Sequence, residues 1–215
     1  MLQTKTVERG LFELLKKMMN DECLSDFILA GGTNLALQLG HRKSIDMDLF
    51  SCSSFDALNL EQHLIKKYNF TPQLVLETDT AKGLIDGIKV DFISYVYPVM
   101  YPPFVEDNIR MYSLQDIACM KLAAISDNGT RLKDFVDIAF LSTKMSLMDM
   151  FSLYVKKFSR PDYFYVIKSL AYHKDIDFSM NIELCDGKQF QWEKIEQRIR
   201  DMIKFEYKIF DKEPI

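Results

Sequence analysis

Histidine is scarce, with three in 215 residues, and the four cysteines, Cys23, Cys52, Cys119 and Cys185, share no CxxC spacing and no neighbouring histidine spaced as a zinc ligand set. That pattern excludes a zinc framework written into the spacing and predicts buried or half-buried free thiols of a reducing compartment. Eight glycines and six prolines leave no low-complexity tract. No segment has the apolar length that a membrane span requires, and residues 1–8 lack the apolar run of a secretory leader, so the cytoplasm is the expected compartment. An excess of positive charge is missing too. A net charge of −4 excludes a protein whose main task is to coat nucleic acid, although it leaves room for a local basic groove. What remains is 48% hydrophobic, enough for one good core and a smaller second lobe.

The richest stretch runs over residues 31–50. An apolar run, Phe27-Ile28-Leu29-Ala30, ends in Gly31-Gly32-Thr33; a short helix and a loop carrying Arg42 follow, and then Asp46-Met47-Asp48. Strand alternation predicts that Asp46 and Asp48 share one face while Ile45, Met47 and Leu49 enter a core. Two carboxylates side by side repel unless a cation sits between them, and Mg²⁺ suits oxygen ligands together with substrate phosphates. The glycine turn permits close backbone approach, so the N–H groups of Gly31, Gly32 and Thr33 and the Thr33 hydroxyl can cradle a triphosphate.

Elsewhere the periodicity predicts helices over residues 6–19 and 56–68, and strands over 73–76 and 87–95 flanking a turn near Lys82-Gly83. The later strand carries Asp91, which completes a three-carboxylate metal site if that strand lies beside the Asp46/Asp48 strand. Pro98, Pro102 and Pro103 mark an irregular connection. Helices then follow from a Ser113 N-cap to about Ser126, from Arg131 onward, and over 147–158, 162–172 and 192–205. Lys121 falls on a flanking face of the first of these, and Asp134 and Asp137 share a face of the second. The three histidines are read as surface or packing residues.

Gly-Gly, a thirteen-residue gap and Asp-x-Asp resemble the signature of the polymerase-β-like nucleotidyltransferases. Joined to Lys121 and Arg131-x-Lys133-Asp134-x-x-Asp137, the run is similar to the AbiEii/AbiGii nucleotidyltransferase toxin family over roughly residues 5–145. The resemblance implies an α/β (α+β) chain: a mixed nucleotidyltransferase sheet with an N-terminal helix over 1–105 and a helical lobe over 106–215, with the site in the cleft between them. It also implies Mg²⁺-dependent transfer of a nucleoside monophosphate from an NTP to a hydroxyl, with metal at Asp46, Asp48 and Asp91. Catalytic roles would fall to those three with Lys121 and Asp134. Nucleotide would be held by Gly31, Gly32, Thr33, Arg42, Lys121, Lys133 and Asp137. Family members are toxins of toxin–antitoxin or phage-defence systems, and some similar proteins modify tRNA, so a tRNA acceptor and a separate antitoxin are the expected partners. A small-molecule transferase of the aminoglycoside-modifying type and a non-catalytic nucleotide-binding module are the alternatives.

Overall fold

The computed structural model describes residues 1–74 and 78–215. They form two compact units, one of residues 1–40 and 44–112 and the other of residues 41–43 and 113–215. The first is built on β1 (Phe27–Leu29), β2 (Met47–Ser51), β3 (Thr71–Pro72), β4 (Thr80–Ile85), β5 (Ile88–Ser94), β6 (Phe104–Glu106) and β7 (Ile109–Met111). These pair in the order β3-β4-β5-β2-β1-β7-β6. Most neighbours are antiparallel, whereas β2 with β5 and β1 with β7 run parallel. Helices α1 (Arg9–Met19), α2 (Gly31–Leu39) and α3 (Ala57–Tyr68) complete the unit.

Alternation along the strands and helical spacing along α1 supply one core. Leu11, Leu15 and Met18 are buried with Phe27, Leu29, Met47, Leu49, Val90 and Phe92. The Phe27 ring meets Phe92 and Phe55 edge-on, at 5.1 Å in each case, the offset that ring quadrupoles favour.

Several local expectations change. The helix expected over 6–19 divides into a tight turn at Thr4–Thr6 and α1. Lys82 and Gly83 lie inside β4, not in a turn; a Cβ on Gly83 would come 2.3 Å from the Thr71 carbonyl oxygen, so close approach of β3 requires the glycine. The turn is Asp86-Gly87, both with positive φ, as a two-residue hairpin demands. Of the strand expected over 73–76, Gln73 and Leu74 are not in a strand, and Val75 and Leu76 lie outside the described residues. Ile45 precedes β2 and is 61% exposed, so the inward alternation begins only at Met47. The boundary expected at 105/106 falls within the β6–β7 hairpin, whose residues belong to the sheet.

The second unit contains α4 (Leu114–Asn128), α5 (Leu132–Leu141), α6 (Leu147–Phe158), α7 (Tyr163–Ala171) and α8 (Trp192–Lys204). Ser113 accepts from the Asp116 N–H, and Ser146 and Asp149 form a reciprocal capping box, which is why α4 and α6 start where the sequence signals place them. Helix α4 packs on α5, α6 and α7, and α5 packs on α8. Residues 41–43 join this unit through two strand-like hydrogen bonds: the Lys43 N–H donates to the Glu183 carbonyl (2.8 Å) and the Cys185 N–H to the His41 carbonyl (3.0 Å). Cys119 and Cys185 are buried as expected, whereas Cys23 and Cys52 are exposed.

Candidate active site

In the first unit, β1 delivers the chain into α2 through Gly31. Its φ of +65° suits glycine, and a Cβ there would sit 1.9 Å from Asp48 Oδ2. The Asn34 amide donates to the carbonyls of Leu29 (2.6 Å) and Tyr112 (3.1 Å), clamping the start of α2 to the ends of β1 and β7. No side chain caps that helix, which leaves its first N–H groups without a side-chain acceptor, as an anion site would need. Thr33 is buried, and its hydroxyl bonds Ser44 Oγ (2.8 Å) and the Asp46 carbonyl. Its hydroxyl therefore fixes the segment leading to Asp46, and what Thr33 can offer a phosphate is its backbone N–H.

Asp46 lies one residue before β2 and Asp48 lies within it; Asp48 is the register partner of Asp91 on β5. The strand adjacency that a third carboxylate requires is present. Lys89, two residues before Asp91 and on its face of β5, places its ammonium 3.1 Å from Asp91 Oδ2. Burial pulls the Lys89 pKa down, but the Asp91 hydrogen bond and the charges of Asp91, Asp46 and Asp48 outweigh it and leave the pKa raised. Strand alternation in the sequence already puts this lysine on the face of Asp91, although it is not among the site residues expected from the sequence. Asp46 and Lys89 also line a cavity of about 290 Å³ with Glu8, Ile45 and Ile88.

The donor chemistry of this face is that of a hard divalent cation. The donors are all carboxylate oxygens, and Asp91 Oδ1 is buried without a hydrogen-bond partner. The carboxylates of Asp46, Asp48 and Asp91 do not all come within 4.8 Å of one another, and Lys89 supplies positive charge among them.

Gly31→Ala tests how closely the turn and the carboxylate are coupled. The left-handed backbone costs about 1–2 kcal/mol, and the added methyl displaces the Asp48 carboxylate. Nucleotidyl transfer is expected to fall at least about a hundredfold, the scale of a 1 Å misplacement, while thermal melting records only the modest backbone cost. Activity within a few-fold of wild type would show that Asp48 does not need its position against the turn.

The second unit gathers the other expected site residues into one buried ion cluster. Asp137, fully buried, accepts from Arg42 Nε (2.7 Å) and Nη2 (2.8 Å) and from His41 Nε2 (2.8 Å), and pairs with Lys121 Nζ (2.8 Å). Lys121 also donates to Asp134 Oδ1 at 2.6 Å, and Arg131 Nε stands 3.6 Å from Asp134 Oδ2. Lys121 is thus buried between helices and not on an open flank; Lys133 is half-buried.

Burial alone would raise the Asp137 pKa, but Arg42 and Lys121 hold it well below the carboxylate range. Burial likewise opposes the charge on Lys121, and Asp134 and Asp137 outweigh it to raise that pKa. Burial lowers the His41 pKa against the pull of Asp137, so the ring is neutral and Nε2 carries the proton it donates.

No helix among the described residues is long and apolar enough to cross a membrane. The family model described as nucleotidyl transferase AbiEii toxin, Type IV TA system, matches residues 61–208, a stretch that includes Asp91, Lys121, Asp134 and Asp137 and begins after the Gly-Gly and Asp-x-Asp elements. An uncharacterized protein of Aquifex aeolicus (strain VF5) is 33% identical over 198 residues, spanning 89% of this chain and 93% of its own length. The structure of JHP933 from Helicobacter pylori superposes with a TM-score of 0.55 at 18% identity over 92% of this chain and 88% of that one. A second H. pylori structure, of a candidate nucleotidyltransferase, gives the same score and identity over 92% and 91%. These likenesses concern the fold, a mixed sheet flanked by helices that this chain shares with the two H. pylori structures. With more than half of its length matched by the family model, the chain belongs to the AbiEii nucleotidyl transferase toxin family and is a nucleotidyltransferase.

Proposed function

We propose that this nucleotidyltransferase uses Mg²⁺ to move a nucleoside monophosphate from an NTP onto a hydroxyl of tRNA in the cytoplasm, and that this transfer makes it a toxin countered by a separately encoded antitoxin. The observation that carries the chemistry is the pairing of Asp48 with Asp91, with Asp46 two residues away, beside the uncapped start of α2. Asp46, Asp48 and Asp91 would hold the metal, which when bound supplies positive charge for the substrate phosphates.

The backbone N–H groups of Gly31, Gly32 and Thr33 orient the triphosphate. Asp91 orients the acceptor hydroxyl and takes its proton as the oxygen attacks the α-phosphorus. The bond to the bridging oxygen breaks and pyrophosphate leaves, with no covalent enzyme intermediate. Lys89 supplies positive charge beside the carboxylates before substrate arrives. Arg42, Lys121, Lys133, Asp134 and Asp137 serve as positioning residues that hold a fixed set of charges in the helical unit.

The test is incubation of purified protein with Mg²⁺, each α-³²P-labelled NTP in turn, and either total tRNA or small hydroxylated acceptors. Label on tRNA is expected, together with growth arrest on expression that Asp46→Ala relieves. Label on small acceptors alone would replace tRNA as substrate, and equal arrest by Asp46→Ala would separate toxicity from transfer.

A further inference from the structure

Away from the carboxylate face, one place in the first unit brings three ligand chemistries to a point. Asp21, Cys23 and His63 each present one ligand atom, and these atoms all lie within 4.8 Å of one another. Among the described residues no other set of three histidine, cysteine or acidic side chains converges in this way. Asp21 caps the tight turn Glu22–Leu24, accepting from the Cys23 N–H at 3.2 Å, while His63 projects from α3. Asp21 Oδ2 accepts from His63 Nε2 (2.7 Å), the Tyr68 hydroxyl (2.7 Å) and Lys67 Nζ (2.9 Å).

A thiol, an imidazole and a buried carboxylate in mutual reach form a donor set unlike the all-oxygen set on β2 and β5. Thiolate and imidazole select Zn²⁺-like ions, and Mg²⁺ finds neither congenial. We propose that Asp21, Cys23 and His63 form a binding site for a thiophilic divalent transition metal of the Zn²⁺ class. Three protein ligands leave the fourth tetrahedral position to water.

Binding forms a metal–sulfur bond and a metal–nitrogen bond: the Cys23 thiol proton goes to solvent, the His63 proton that faces Asp21 is exchanged through solvent to Nδ1 so that Nε2 can ligate, and no electron is transferred. Lys67 now supplies the positive charge at Asp21. Its side chain is 45% exposed, so the ammonium can move into water as the dication takes its place. The thiol is exposed, and the His63 side chain is 26% exposed, which gives the ion a path in. Occupancy would tie the turn that feeds β1 to α3, upstream of the Gly31 turn. The site is therefore a staple on the sheet unit and independent of the transfer chemistry.

The test uses the whole chain, reduced and stripped of metal, titrated with Co²⁺ and then Zn²⁺. The expected result is a thiolate-to-cobalt charge-transfer band in the near ultraviolet that Zn²⁺ bleaches and Mg²⁺ does not, with a rise in Tm on Zn²⁺ that Cys23→Ser diminishes. Cys23→Ser should abolish the band and weaken Zn²⁺ at least about tenfold, as should His63→Gln, whereas Cys52→Ser, at the other exposed cysteine, should leave both unchanged. Lys67→Met should tighten Zn²⁺ binding about three- to tenfold by removing the competing charge, a gain that misfolding cannot imitate. A band that survives Cys23→Ser, or no band in the wild-type chain, overturns the proposal; so does unaltered Zn²⁺ affinity in His63→Gln.

Discussion

Asp137→Ala is expected to cost the helical unit about 4 kcal/mol, the range for removing one partner of a buried ion pair. The carboxylate answers Arg42 through two nitrogens, Lys121 through a third contact and His41 through a fourth, all out of water. Alanine would leave Lys121 to Asp134 and take from Arg42 the carboxylate that meets two of its nitrogens. The sole tryptophan reports on this unit, because Trp192 packs edge-on to His173 and Phe178 at 5.1 and 5.3 Å. Urea unfolding followed by Trp192 fluorescence should therefore show an earlier midpoint. The double variant Asp137→Leu/Arg42→Met should recover part of the loss, since a buried pair can be exchanged for packed apolar groups while Lys121 keeps Asp134.

The same residue sets an acid limb. Its pKa is lowered by folding, so the unfolded chain binds the extra proton first. The contribution is complete above the unfolded value of about 4 and is lost as pH falls from there toward the folded value. Asp137→Asn should flatten that limb. A Trp192 transition unmoved by Asp137→Ala, with an unchanged acid limb in Asp137→Asn, would mean that the cluster is not what holds the unit together.

Much of the helical unit is legible locally. The box of Ser146 with Asp149 and the Ser113 cap are signals within four residues, and α6 occupies residues 147–158 as its periodicity predicts. Reading fails where a residue serves a neighbour distant in sequence. Gly83 looks like a turn until β3 lies against it, and β6 and β7, closed by Asp107 and Asn108 at positive φ, are hidden behind Pro102 and Pro103.

The site divides in the same way. Asp46 and Asp48 announce themselves by spacing, but the place of Asp91 beside Asp48 depends on strand order. Lys121 reads as a flanking lysine because its partners sit on the next helix, where the interhelical contact decides its burial. Lys89 was within reach of the alternation rule, yet a lysine among acids looks like ordinary surface until the sheet shows three carboxylates around it.

That lysine also sharpens the largest expected effect on activity. Asp48→Asn should lower nucleotidyl transfer by about a thousandfold, or about 4 kcal/mol of transition-state stabilisation, the scale at which preorganised charge is lost from a reacting centre. Folding should respond far less. Asp46, Asp48 and Asp91 repel one another in the resting protein, and Lys89 offsets only part of three negative charges. Removing one charge while keeping the shape of Asp48 relieves part of that repulsion, so the Tm should move by no more than a few degrees.

Asp91→Asn should show the same loss of transfer with a fall in Tm, because Asp91 is buried and its Oδ2 holds the Lys89 ammonium. Measuring rate and melting together on both variants separates a catalytic carboxylate from a structural one. Transfer by Asp48→Asn within about tenfold of wild type, a difference of only about 1.4 kcal/mol, would remove this strand pair from the chemistry. A large fall in Tm with the same substitution would assign Asp48 to holding the sheet rather than to reacting on it.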